Sequence, residues 1–302
     1  YSNGKLLLTG EYLVMKGAKA IAFPTNYGQS LEVKSGNRKS NEIRWKAYEP
    51  DGLWFEAVLS TDTFEILSTN DTKAAGYLSF ILTSAKKLNT SFPLETANEI
   101  KIDTHTDFPI NWGLGTSSTL IANIAQWAGI APFDLHHAVS KGSGYDIACA
   151  TAKSPITYQL RSGKPEVEPI QFEKSFLDNL WFVYSGKKKR TEEHIQQFLS
   201  ATTDYTEEIK TVNKLSSDIL KTTSLETFIE LLKEHEKCIG DVLKWKPIGE
   251  DLFICFNGAV KSLGAWGGDF LLIASEEKES YVRAFFEQNG LSCIIPYKEM
   301  VY

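Results

Sequence analysis

The sequence lacks any long apolar run. Its most continuous candidates, such as residues 270–275, are strand-sized and fall short of the roughly 18 residues a membrane-crossing helix needs. It is poor in cysteine: Cys149, Cys238, Cys255 and Cys293 are far apart, and no pair has the spacing of a redox or metal motif. They read as ordinary thiols of a reducing compartment. Positive charge is not in excess, with 32 Lys and Arg against 38 Asp and Glu and a net charge of −6. That balance argues against a duplex-binding surface. No signal-peptide pattern opens the chain, so a cytoplasmic location is expected. There is no internal repeat and no low-complexity tract. What remains is 302 residues with 42% hydrophobic and 23% charged content. These proportions exclude disorder, collagen and coiled coil as descriptions of the whole, and the length suits one large or two ordinary domains.

Periodicity predicts strands over 5–15, 20–24, 31–33, 43–47, 54–59 and 99–104. Helical spacing appears over 74–88, where Leu78, Ile81, Leu82 and Ala85 make one stripe. A second helix is expected from Thr116 to just before Gly129, and a short third one over 134–140. The stretch 160–169 is rich in Gly, Pro and charge and suggests a boundary. Beyond it come a strand at 180–184, helices at 192–202, 204–220, 225–242 and 252–263, a strand at 270–274, a helix at 281–288 and a strand at 293–296. Strands and helices mix without a strict βαβ rhythm, which makes α+β the expected class.

Four glycine-marked segments stand out. Asn111-Trp112-Gly113-Leu114-Gly115-Thr116-Ser117-Ser118 runs from a Gly-rich loop straight into a helix start. Glycine lets a backbone approach a ligand closely, and the first helical N–H groups are unpaired at the positive end of the helix dipole. Together these form a phosphate cradle. A simple capped helix after a turn explains the segment equally well. It is neither a Walker A loop, since no Gly-Lys-Ser/Thr follows, nor a dinucleotide fingerprint, since Ser118 stands where the third glycine belongs. Gly142-Ser143-Gly144-Tyr145-Asp146 places an aspartate on a tight turn, either to accept a proton from a hydroxyl, to sit beside a cation or to cap a helix. Ser262-Leu263-Gly264-Ala265-Trp266-Gly267-Gly268-Asp269 lies between an expected helix and an apolar strand, as a C-cap and loop would. Asn3-Gly4-Lys5 opens a strand that reaches Gly10-Glu11-Tyr12, and Lys5 alone reads as a surface lysine.

Taken in order, these four segments resemble the GHMP kinase superfamily, named for galactokinase, homoserine kinase, mevalonate kinase and phosphomevalonate kinase. The family's Pro-Gly-Lys and Gly-Glu-His/Tyr elements are matched by Asn3-Gly4-Lys5 and Gly10-Glu11-Tyr12. Its Gly-Leu-Gly-Ser-Ser-Ala motif is matched at 113–118, its Gly-Ser-Gly-x-Asp at 142–146, and its Gly-Ala-Gly-Gly-Gly-Asp at 264–269. Tyr12 and Asp269 lean toward the phosphomevalonate branch, with mevalonate kinase close behind. The resemblance spans the chain. It implies a two-lobed α+β fold, with a ribosomal S5-like α/β lobe over 1–160 and a ferredoxin-like α+β lobe over 161–302.

The resemblance also implies phosphoryl transfer from ATP, with Mg²⁺, to a small anionic acceptor by a monomer or homodimer without nucleic-acid or membrane partners. By match to the motifs, Asp146 is the catalytic base and Lys5 its basic neighbour. Gly113, Leu114, Gly115, Thr116, Ser117 and Ser118, with Gly264, Ala265, Gly267 and Gly268, line the triphosphate. Ser117 holds the metal. Glu11, Tyr12, Lys187, Lys188, Arg190 and Thr191 face the acceptor, the last four from a loop whose run of cations suits a carboxylate or phosphate. Trp266 in place of glycine, Asn3 in place of proline and Ser118 in place of alanine depart from the pattern. So does Asp134-Leu135-His136-His137, where mevalonate kinases carry a metal-binding glutamate. Adjacent helical histidines point apart, so His136 and His137 do not form a metal pair. A binding protein without turnover and an ATP-dependent decarboxylase are the alternatives.

Overall fold

A computed structural model describes residues 1–36, 39–93, 99–186, 198, 203–264 and 269–302. In chain order the elements begin with β1 (Ser2–Leu7), β2 (Ala20–Ser35), β3 (Glu42–Glu49), β4 (Gly52–Ser60), β5 (Ile66–Thr69), α1 (Thr72–Leu88) and β6 (Ile100–Thr106). There follow α2 (Thr116–Ala128), α3 (Pro132–Val139), α4 (Tyr145–Thr151), β7 (Ile156–Arg161), β8 (Lys164–Pro169), β9 (Leu180–Tyr184), α5 (Thr206–Lys221) and α6 (Leu225–Leu243). The chain closes with α7 (Ile248–Asp251), β10 (Ala259–Ser262), β11 (Phe270–Ala274), α8 (Glu279–Gln288), β12 (Ile294–Pro296) and α9 (Tyr297–Met300). The class is α+β. Among the described residues no helix is long and apolar enough to cross a membrane.

The chain divides into two compact units. The first comprises Tyr1–Gly4, Tyr27–Ile110 and Leu114–Thr151. Its sheet pairs β5, β4 and β3 antiparallel, β3 with β6 parallel, and β6 antiparallel with β2 from Gln29 to Ser35. Alternation decides which face is buried: Ile43, Trp45 and Ala47 of β3 point inward, and the helices lay Leu78, Ile81, Leu82, Ile121, Ile124 and Leu135 on them. Asp71 caps α1 by accepting from Lys73 and Ala74 N–H. Polar side chains fix the placement of α2. Thr119 Oγ1 donates to Gln29 Oε1 at 2.8 Å, Asn123 Nδ2 to the Gln29 carbonyl at 2.9 Å, and Ser2 Oγ to Asn123 Oδ1 at 2.8 Å.

The second unit comprises Lys5–Asn26, Asn111–Gly113 and Ala152–Tyr302. Its four-stranded antiparallel sheet runs β10-β11-β9-β12. Phe270–Ala274 and Leu180–Tyr184 are almost entirely buried, which explains their unbroken apolar runs. Trp181, Val183, Leu271 and Ile273 pack with Phe253, Phe256, Val282 and Phe286.

Several expectations are corrected. The strand expected over 5–15 stops at Leu7, because Gly10 turns at φ +86° and a 3₁₀ turn follows at Leu13–Lys16. The two strands at 20–24 and 31–33 are one, β2, since Pro24 and Gly28 sit inside it. A side chain at Gly28 would overlap the Ser2 carbonyl and the Tyr1 ring. The helix expected over 252–263 is absent. Gly258, at φ +153° and pressed on the Ala274 carbonyl, breaks it, and 259–262 form β10. The boundary expected at 160 falls at the hairpin of β7 and β8, turned by Ser162 and Gly163 at φ +50° and +75°. The chain passes between the compact units several times, the last time after Thr151. The helix expected over 192–202 lies outside the described residues, Phe198 excepted.

Candidate active site

Three of the glycine-marked segments come together in the second unit. β1 extends Lys5 so that its Nζ donates to the Gly113 carbonyl at 2.7 Å. Gly113 sits at φ +69°, and a Cβ there would overlap the Asp269 carboxylate. Asp269 in turn is held at the start of β11, where its carbonyl accepts from Ser185 N–H at 2.8 Å. The Trp112 ring meets Phe270 edge-on at 5.4 Å and lies 6.0 Å from Tyr184, whose hydroxyl donates to the Asn111 carbonyl at 3.1 Å. Trp112 therefore anchors the loop through its ring contacts with β9 and β11.

The chain runs on from Gly113 into the first unit, where α2 begins. Gly115 at φ +97° is its N-cap, and among the described residues no side chain caps the helix. Two hydroxyls of its first turn bond back to the backbone: Ser118 Oγ donates to the Gly115 carbonyl at 2.8 Å and Thr119 Oγ1 to the Thr116 carbonyl at 3.0 Å. The helix start thus presents N–H groups at the positive end of its dipole.

Ser117 Oγ lies 2.6 Å from the Tyr77 hydroxyl. Tyr77 stands on α1 and carries no motif. Its phenol is pushed upward in pKa by burial, with the charge of Asp146 adding to the shift and the Ser117 hydrogen bond opposing it. The phenol therefore stays protonated at neutral pH and has both residues as neighbours. Asp146 occupies the first turn of α4, after Gly144 at φ +88°, and its Oδ1 accepts from Ile147 N–H at 3.1 Å. No motif signals Tyr77 in the sequence, where its helical neighbours are Lys73, Ala74, Phe80 and Ile81.

Two expected acceptor contacts turn inward. Glu11 is fully buried and ion-paired with Lys261, and Tyr12 packs with Leu13, Ala18, Phe198, Val212 and Ile239. Their carboxylate and ring are engaged by the protein interior. Gly264 adopts φ +67° with open space around it. Ala265, Trp266, Gly267, Gly268, Lys187, Lys188, Arg190 and Thr191 lie outside the described residues. His136 is buried, with Nε2 3.4 Å from the Gly142 carbonyl, and the His136 and His137 rings meet steeply inclined at 5.7 Å. Among the described residues no group of three or more His, Cys, Asp or Glu forms a metal cage. A Mg²⁺ site nonetheless fits this chemistry, because that ion takes one or two protein oxygens and completes its shell with substrate phosphates and water.

No protein-family model matches the chain. The mevalonate kinase of Methanocaldococcus jannaschii is 25% identical over 295 residues, covering 91% of each chain. A crystal structure of the Methanococcus jannaschii mevalonate kinase superposes with a TM-score of 0.71 at 20% identity, over 97% of this chain and 95% of that one. The phosphomevalonate kinase of Streptococcus pneumoniae, solved with phosphomevalonate and AMPPNP, gives 0.70 at 14% identity over 96% of both. The chain is thus similar along nearly its whole length to a mevalonate kinase, and it shares its fold with these two solved kinases.

Proposed function

We propose that the protein is an ATP-dependent kinase for a small anionic acceptor of the mevalonate or phosphomevalonate kind. The observation that carries this reading is the meeting of Lys5, Gly113 and Asp269, three distant motifs gathered at one loop glycine. Phosphoryl transfer asks for position and charge neutralisation more than for covalent help. The Lys5 ammonium turns the Gly113 carbonyl toward itself and puts positive potential at the loop. The N–H groups at the start of α2 face the phosphates. Ser117 would hold Mg²⁺, which when bound neutralises phosphate oxygens. Asp146 orients the acceptor hydroxyl and takes its proton as the new O–P bond forms, the bond to the bridging oxygen breaks and ADP leaves.

Tyr77→Phe tests the Ser117 assignment. Loss of the phenol hydroxyl frees Ser117 Oγ to rotate, so the Mg²⁺ concentration for half-maximal rate should rise several-fold with little change in the acceptor KM. An unchanged Mg²⁺ requirement removes Tyr77 from the site.

A second reading, nucleotide binding without turnover, is favoured by α3, where the segment 134–137 offers no glutamate. ADP release with a panel of mevalonate, phosphomevalonate, homoserine and simple sugars separates it from the kinase. CO₂ detection in the same assays identifies a decarboxylase. The acceptor's charge is tested by neutralising Lys187, Lys188, Lys189 and Arg190. The acceptor KM should rise by at least about 10-fold, since each lost charge-assisted contact is worth roughly 1.5–3 kcal/mol, and the ATP KM should move far less. Equal shifts in both would remove the anionic-acceptor assignment.

A further inference from the structure

The second unit buries an ionic cluster that the proposed chemistry does not use. Lys261 of β10, Glu11 of the first-motif turn, and Glu236 and His235 of α6 are all nearly or fully inaccessible. Lys261 Nζ contacts Glu11 Oε1, and also reaches Glu236 Oε2 at 3.4 Å and the Ser262 carbonyl at 3.0 Å. Glu236 Oε1 accepts from Ser262 N–H at 3.2 Å. His235 Nε2 accepts from Gly10 N–H at 3.1 Å, which leaves the ring proton on Nδ1 and the imidazole neutral. Burial, reinforced by Lys261, drives the His235 pKa well down and agrees with that state. One ammonium therefore serves two carboxylates. Among the described residues, Glu11 Oε2, His235 Nδ1 and Ser262 Oγ have no hydrogen-bond partner.

Such a cluster is a costly way to hold a fold, because buried ion pairs gain little over apolar packing of the same volume. Its placement supplies the reason. Gly10 and Glu11 follow the strand that carries Lys5, and Lys261 and Ser262 lead into the connection that ends at Asp269. Both ends act on Gly113.

Resting on the kinase reading, we propose that Lys261, Glu11, Glu236 and His235 are positioning residues, locking the Gly10–Tyr12 turn to the end of β10 so that Lys5 and Asp269 keep a fixed geometry at Gly113. Lys261 is the keystone, since its ammonium bridges both acids. Burial pushes the Glu11 carboxyl up to about 7, against the attraction of Lys261 and with the charge of Glu236 adding to the rise. The groups facing it are Lys261 from β10 and Glu236 and His235 from α6. Cys238, also on α6, has its thiol pushed up to about 11, chiefly by burial, and stays neutral. A carboxyl raised in the folded state binds its proton more tightly there than in the unfolded chain. Its contribution to stability is complete below about pH 4.5 and is lost as pH rises through about 7.

The test uses Lys261→Met, Glu11→Gln and the double variant. In Lys261→Met, amide exchange should quicken together in segments 9–13 and 259–264. Turnover should fall at least about 10-fold, the scale of a sub-ångström misplacement, with the ATP KM within about threefold. Glu11→Gln should abolish the wild-type fall in stability between pH 4.5 and 7. If Lys261→Met fails to fold, the double variant, which leaves one carboxylate rather than two, carries the same exchange and rate measurements. Quickened exchange confined to 259–264 with normal turnover, or parallel pH–stability curves for wild type and Glu11→Gln, overturns the proposal. Absence of phosphoryl transfer by the wild type sinks the kinase reading alone, because the exchange coupling between the two segments is read without substrate.

Discussion

Asp146→Asn is expected to lower turnover by at least about 100-fold while ATP binding stays near normal, the usual contribution of a positioned acid–base group being roughly 10²–10⁴-fold. The substitution is nearly isosteric. The new carboxamide would still accept from Ile147 N–H through its oxygen, so the first turn of α4 and the Gly144 bend ahead of it survive. What disappears is the negative charge and, with it, the proposed capacity to take a proton from the acceptor hydroxyl. The nucleotide is assigned to the loop at 113–118 and the start of α2, which the substitution leaves untouched, so affinity and rate should separate. Steady-state kcat with calorimetric ATP affinity checks this, and a variant with near-normal kcat would falsify the assignment. A parallel loss of ATP affinity would instead make Asp146 part of the nucleotide or metal site. The Tyr77 phenol supplies an internal control, because it feels the Asp146 charge. Its titration in Asp146→Asn should move down relative to wild type.

Sequence periodicity carried much of the fold where one physical signal dominated. α2 runs from Thr116 to Ala128 as expected because its stripe is continuous and Gly115 and Gly129, both at positive φ, mark its ends. β9 and β11 fall at 180–184 and 270–274 because short buried apolar runs bounded by turns have few other readings. The misses have a shared cause. At 252–263 and 20–35 the deciding contacts lie far away in sequence: the Ala274 carbonyl against Gly258, and Ser2 and Tyr1 against Gly28. Lys261 sits in β10 with the composition of an exposed residue, and nothing local reveals that Glu11, 250 positions earlier, draws it inside. Nor does anything local show that Glu11 and Tyr12, expected at the acceptor, are buried, Tyr12 among apolar side chains. Motif order singled out the segments of Lys5, Gly113 and Asp269, which meet in the structure. Tyr77, lacking a motif, was not legible, because the hydroxyl contact that sets it beside Ser117 joins residues 40 positions apart.

Gly113→Ala is expected to reduce turnover by at least about 10-fold with the fold retained, because displacing reacting groups by about 1 Å costs up to roughly 10²-fold. Two separable effects combine at this position. Alanine at φ +69° enters the left-handed region at a cost of roughly 1–2 kcal/mol. Its methyl group would also overlap the Asp269 carboxylate, including the Asp269 Cβ, so a rotation of the carboxyl alone does not relieve it. Either the Asp269 backbone shifts at the start of β11, or Gly113 withdraws and carries its carbonyl away from Lys5. Both movements disturb the point where the three motifs meet. Asp269→Gly in the same chain distinguishes the two effects. If overlap dominates, the double variant regains part of the thermal stability lost by Gly113→Ala. If the backbone conformation dominates, the losses simply add, as they do for uncoupled sites. Circular dichroism should show native secondary structure in every variant, and the rate loss should appear in kcat as well as in the ATP KM. A Gly113→Ala protein with wild-type midpoint and wild-type turnover would mean that the loop tolerates a side chain, and the meeting of Lys5, Gly113 and Asp269 would then have no functional weight.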